Sequence, residues 1–168
     1  MKPQPITLGI DPGTARTGYG LISESERGIV AVAFGVLTTP ADWPLPRRLQ
    51  SLHDQLGQLI ALHCPSTAAV EKLFFQKNVR TAMSVGQARG VVLLALAEAG
   101  LEVGEYSPRE VKLAVAGYGA ADKRQIQDMV RSLLGLAERP KPDDAADALA
   151  IAICHLHSSQ ILRLAGEK

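Results

Sequence analysis

Four acidic residues stand where they could act together: Asp11 directly after the apolar run at 6–10, Glu71 directly after the one at 67–70, and Asp144 and Asp147 early in a helical stretch. Side chains at i and i+3 project from one helix face, so the last two can point at the first two. Four carboxylates in one cleft repel each other and raise at least one pKa, unless a hard divalent cation lies between them. An all-oxygen donor set favours magnesium or manganese. Two such ions about 3.5–4 Å apart hydrolyse phosphodiesters, one activating water and the other stabilising the leaving oxygen, so the constellation points to a nuclease. Singly, each acid is more simply a turn residue after a strand, or a helix-start acid facing the dipole. Jointly they resist that reading, because Glu71 ends an apolar strand and Asp147 sits in the Ala-rich run 145–152. Asp143, directly after Pro142, is better placed to cap the last helix, though its i, i+4 relation to Asp147 leaves a share in the metal open.

The elements that must position these acids follow from hydrophobic period and punctuation. Residues 6–10 read as a buried strand closed by Asp11-Pro12-Gly13, and 18–23 and 29–37 continue it as an antiparallel meander. Leu45, Leu49, Leu52, Leu56, Leu59 and His63 recur at threes and fours, predicting a helix over 43–63 that Pro65 stops. A strand at 67–70, a helix at 79–98 and a strand at 101–106 follow. Ser107-Pro108-Arg109-Glu110 is a capping box that starts the next helix. A break at 117–119, a helix at 122–134 and a last helix at 143–164 complete the chain. A right-handed crossover lays the first and fourth strands side by side, so Asp11 and Glu71 meet at their carboxyl ends, where open α/β sheets place ligands. The expectation is an α/β domain spanning 1–168: a five-stranded mixed sheet, three antiparallel strands then two parallel, flanked by helices.

Composition bounds the alternatives. A chain of 168 residues that is 46% hydrophobic and 21% charged reads as one soluble domain, which excludes disorder and collagen-like repeats. Arg89, Glu98 and Glu102 bracket the longest apolar run, so no membrane span is expected, and Met1 to Pro5 lack the pattern of a signal peptide. The net charge of +1 conceals a basic stretch over 72–131, which can present a basic surface around an acidic pocket. Cys64 and Cys154 have no metal or disulfide spacing; they read as buried small hydrophobes in a reducing cytosol, and a cytoplasmic location is expected.

Gly9-Ile10-Asp11-Pro12-Gly13, Val70-Glu71, Phe74, Lys77-Asn78, Gly86-Gln87-Ala88-Arg89-Gly90 and Asp144-Ala145-Ala146-Asp147-Ala148-Leu149 occur in that order. With them the chain closely resembles the RuvC family of bacterial crossover junction endodeoxyribonucleases, the Holliday junction resolvases, over roughly residues 6–157. The resemblance implies a ribonuclease H-like fold, a homodimer, and magnesium-dependent symmetric nicking of four-way DNA junctions in recombination and repair. It also implies two ions per site, with manganese able to substitute, and the RuvA and RuvB branch-migration proteins as partners. Carried over by position, Asp11, Glu71, Asp144 and Asp147 become the acidic tetrad, with Asp11 bridging the metals. Phe74 becomes the aromatic that packs on junction bases, and Lys112 and Lys123 the basic residues beside the scissile phosphate. Lys77, Asn78 and Arg80 become further DNA contacts.

The residues' own reading supports these assignments unequally. Phe74 and Phe75 follow the strand glutamate in a loop, where an exposed aromatic stacks on an unpaired base for about 1–3 kcal/mol; Phe75 is expected to pack inward. Lysines on helices are usually solvated, so the resemblance carries Lys112 and Lys123, as it does Lys77 and Arg80. Gly86 and Gly90, with Ala82 and Ala97, place small residues in a long helix and predict a close contact, either a two-fold interface or packing on the chain's own sheet. Two competing functions remain. Asp11-Pro12-Gly13-Thr14 also resembles the phosphate loop of actin-like and sugar-kinase ATPases, whereas a non-catalytic junction-binding module would use the basic face and leave the acids structural.

Overall fold

The computed structural model describes residues 4–72 and 79–166. Among these residues five strands form one sheet: β1 (Ile6–Asp11), β2 (Arg16–Ser25), β3 (Gly28–Thr38), β4 (Thr67–Glu71) and β5 (Glu102–Tyr106). Their spatial order is β3-β2-β1-β4-β5. The first three are antiparallel and β4 and β5 join in parallel, as the crossover argument requires. The meander is longer than its apolar pattern suggested, because pairing of β2 with β3 runs outward to Arg16 opposite Thr38.

Among the described residues five helices cover the two faces: α1 (Leu45–His63), α2 (Val79–Glu98), α3 (Pro108–Ala116), α4 (Lys123–Leu133) and α5 (Asp143–Gly166). The two-residue period of the strands sorts side chains between them. Leu8 and Ile10 of β1 and Ala68 and Val70 of β4 share a core with Leu52 and Leu56 of α1 and Val92 and Leu96 of α2. The alternate positions face the other way, toward α5: Ala69 joins the cluster of α3, α4 and α5 side chains, and Gly9 lies against α5. Asp11 and Glu71 are two residues further along the same strands and therefore look toward α5 as well.

α5 approaches the sheet more closely than side chains allow. A Cβ on Gly9 would lie 2.1 Å from the Ala148 carbonyl oxygen, and one on Gly18 only 1.9 Å from that of Asp144. Small residues on both partners permit the contact: α5 brings buried Ala145, Ala148 and Ala152. Although α5 is long and apolar enough to cross a membrane, contrary to the expectation of no such segment, it runs through the core and is buried from Ala145 to Leu156 except at Asp147.

Cys154 is buried among these residues, and burial pushes its thiol up to about 11. Cys64 departs from expectation: it is exposed, because it serves as the left-handed cap of α1 with φ of 47° instead of packing inward. Phe74, Phe75, Lys77 and Asn78 lie outside the described residues.

Candidate active site

The strand acids are neighbours by register. Ile10 pairs with Val70 across the parallel β1–β4 ladder, which sets Asp11 and Glu71 side by side at the ends of their strands. Burial raises the Asp11 carboxyl to about 7, reinforced by the charges of Glu71, Asp147 and Asp144 and offset in part by Lys123. Glu71 is raised for the same reasons, burial first and then Asp147, while Lys112 opposes the shift. The cation acting on Glu71 is thus Lys112 from α3, not its chain neighbour Lys72. Arg89 of α2 donates from Nε to the Glu71 carbonyl at 3.2 Å and pairs with Glu105 of β5, anchoring the end of β4.

α5 and α4 supply the opposite wall. Asp147 is half-buried, and burial raises its carboxyl even though Lys123 pulls it down. Lys123 Nζ lies 3.5 Å from Asp147 Oδ2 and 3.2 Å from Asp143 Oδ2. A capping box fixes the start of α4 and with it Lys123: Gln125 N donates to Asp122 Oδ1 and Asp122 N to Gln125 Oε1, both at 2.8 Å. The Ser107–Glu110 capping box, present as expected, starts α3 and so places Lys112. Asp143 also accepts from Gln127 Nε2 at 3.0 Å, which engages it on the α4 side.

The structure brings Asp11, Glu71, Asp147 and Asp144 into one electrostatic group, in which Asp144 is the acid paired with an arginine. Arg16, the first residue of β2, donates from Nε at 2.9 Å and from Nη2 at 2.7 Å to the same Asp144 oxygen, Oδ2. Asp144 thus adds its charge to Asp11 and Asp147, as expected of four crowded carboxylates, and has a counter-ion of its own as well. Among the described residues no three ligating side chains converge tightly enough to chelate a single ion as they stand. The donor chemistry nonetheless fits a hard cation, because the acids offer only oxygen and burial and neighbouring charge destabilise the Asp11 and Glu71 carboxylates. Between them, Glu71, Asp147, Lys112 and Lys123 line a cavity of about 270 Å³ floored by Val111 and Ile151. Arg80 lies elsewhere, in a groove on the Arg16 side of Asp144.

Comparison with known proteins places this geometry. The family described as crossover junction endodeoxyribonuclease RuvC matches residues 7–155. The chain belongs to the RuvC family. A RuvC from Chloroflexus aggregans is 59% identical over 159 residues, covering 95% of this chain and 97% of the relative. One from Desulfitobacterium hafniense is 58% identical over 161 residues, covering 96% and 98%. Among solved structures, T. thermophilus RuvC in complex with Holliday junction substrate superposes with a TM-score of 0.88 at 36% identity, covering 94% of this chain and 96% of that one. The ribonuclease H-like sheet is thus the RuvC sheet.

Three contacts around these acids were not anticipated from sequence: Arg16 on Asp144, Arg89 on the Glu71 carbonyl, and Asp143 on Lys123. The only local signal was for Asp143, whose i, i+4 spacing from Asp147 left it in contention. The other two are contacts between segments 128 and 18 residues apart.

Proposed function

We propose that this protein is a metal-dependent endonuclease that resolves four-way DNA junctions by paired symmetric nicks in recombination and repair. The observation that carries the reading is the meeting of Asp11 and Glu71 on parallel strands beneath Asp147 of α5, in a chain belonging to a family of junction endonucleases. RuvC proteins are metal-dependent nucleases. Asp11, Glu71, Asp144 and Asp147 would hold magnesium, or manganese in its place, at two ions per site. When bound, such ions activate water and stabilise the leaving oxygen.

The chain's own groups do the rest. Lys112 and Lys123 line the same cavity as Glu71 and Asp147, where an ammonium steadies the phosphate and the charge that develops on it. Burial alone would lower the Lys123 ammonium, but Asp147 and Asp143 outweigh it and raise its pKa, so Lys123 stays charged at neutral pH and serves as an electrostatic group, not a base. Phe74, Lys77, Asn78 and Arg80 are assigned to the DNA by family likeness.

The same reading extends to a homodimer. Val79, Met83, Gly90 and Leu94 form an exposed stripe along α2, and no described atom lies within 4 Å of where a Gly90 Cβ would sit. A stripe of that kind suits a two-fold contact. RuvA and RuvB as partners, and a cytoplasmic location, belong to this reading as well. The ATPase alternative is not favoured, because the family match and the relatives it agrees with are crossover junction endodeoxyribonucleases. Cleavage of a labelled synthetic four-way junction against linear duplex, with and without magnesium, tests the function. Paired nicks confined to the junction and to metal-containing reactions are expected; equal cutting of linear duplex would refute it.

A further inference from the structure

A second concavity, about 570 Å³, lies on the far side of Asp144 from the catalytic cavity. Arg16, Arg48 and Arg80 line it together with Thr14 and Ser84, and Asp144 is the one acid on its walls among the described residues. Its frame is built. Arg48 Nε donates to Thr39 Oγ1 at 3.0 Å, and that hydroxyl donates to the Thr14 carbonyl at 2.6 Å. Thr14 in turn is tied to Ser84 of α2. Three guanidinium groups against one carboxylate suit a phosphate, which arginine forks bind in pairs of parallel hydrogen bonds.

Arg16 faces both demands. Its side chain is 53% exposed and that of Asp144 30%, so their ion pair stands largely in water and is weak. Both of its hydrogen bonds to Asp144 go to one oxygen, Oδ2. While that pair holds, the Oδ2 oxygen of Asp144 is committed to Arg16, although the charge of the carboxylate is felt at Asp11. A phosphate seated beside Arg48 and Arg80 offers Arg16 a competing anion in a site with two further cations. We propose that Arg16 is an exchange residue: a DNA backbone phosphate entering this groove draws the guanidinium off Asp144, and the released carboxylate completes the catalytic acids. The inference rests on the DNA-nuclease reading and adds to it a means by which seating the substrate assembles the site.

Arg16→Gln and Arg48→Gln each remove one cation from the same groove, but only Arg16 holds Asp144. In DNA-free protein, magnesium affinity measured by titration calorimetry should be tighter in Arg16→Gln than in Arg48→Gln by up to about fivefold, the most an exposed ion pair can withhold. That gain should vanish when Asp144→Asn is added. In EDTA, the salt dependence of junction binding should lose about one phosphate contact in each arginine variant. Equal magnesium affinities in the two variants, a gain that survives Asp144→Asn, or an unchanged salt slope in Arg16→Gln would each overturn the exchange. Thermal melts of each variant confirm that the folded protein is being titrated. The wild-type cleavage assay is the separate arm: junction cutting with failed exchange sinks only this inference, whereas no cutting sinks the function itself.

Discussion

Lys123 Nζ lies 3.5 Å from Asp147 Oδ2, so the α5 acid is tethered to a cation from α4 on the wall of the catalytic cavity. Asp143 holds the same ammonium from the exposed side at 3.2 Å. Lys123→Met leaves both acids without it. Single-turnover cleavage of a junction should fall about 10²-fold, the scale for losing one electrostatic contact to a developing charge. Junction binding should weaken far less, and a binding assay in EDTA separates the two effects.

Glu71→Gln and Asp147→Asn remove a metal-binding oxyanion while keeping shape. Each should bind junctions in a gel-shift assay as well as wild type and fail to cut them with magnesium. Retained cleavage by either would remove that residue from the catalytic set.

The crowded acids also predict a pH dependence of stability. Folded Asp11 keeps its proton up to about 7, whereas the unfolded carboxyl releases it near 3.8. The folded state therefore binds more protons across that window, and the contribution of this group is lost as pH rises through it. In EDTA, Asp11→Asn should melt above wild type by a margin that widens from pH 4 to 7 and levels off beyond, reaching at least ~4 °C by the usual scaling for this size. Asp144→Asn should bring no such gain, because it strips Arg16 of its partner. Magnesium at 100 times its dissociation constant should add about 2.7 kcal/mol to wild type and little to Asp11→Asn.

Packing of α5 on the sheet sets where two of the acids stand. A methyl group on Gly18 would overlap the Asp144 carbonyl oxygen, so Gly18→Ala should cost at least ~1–3 kcal/mol and lower the melting temperature. It should also reduce cleavage at temperatures where the variant remains folded. Gly57→Ala is the control: it sits exposed within α1 with nothing within 4 Å, and should stabilise by up to about 1 kcal/mol through helix propensity.

The order of elements and the pairing of β1 with β4 were legible because local patterns determine them. Apolar runs at 6–10 and 67–70 end on acids, and crossover handedness makes those ends neighbours. The capping box at Ser107 likewise announced α3. What escaped was set by contacts between distant segments. Nothing around Arg16 marks it as the counter-ion of a residue 128 positions away, and the sequence motif around Gly9 does not reveal that α5 presses against it. Cys64 was misplaced because thiols are usually buried, whereas here the chain reversal after α1 takes precedence.

The acids belong to segments that leave the ribosome far apart in time, with Asp11 on the first strand and Asp147 on the final helix. A nascent polypeptide carrying β1 and β4 but lacking α5 has half a set of ligands and no floor to hold them. Competence to cut DNA thus arrives only with synthesis of the helix that finishes the core, so half-made chains are harmless to the chromosome.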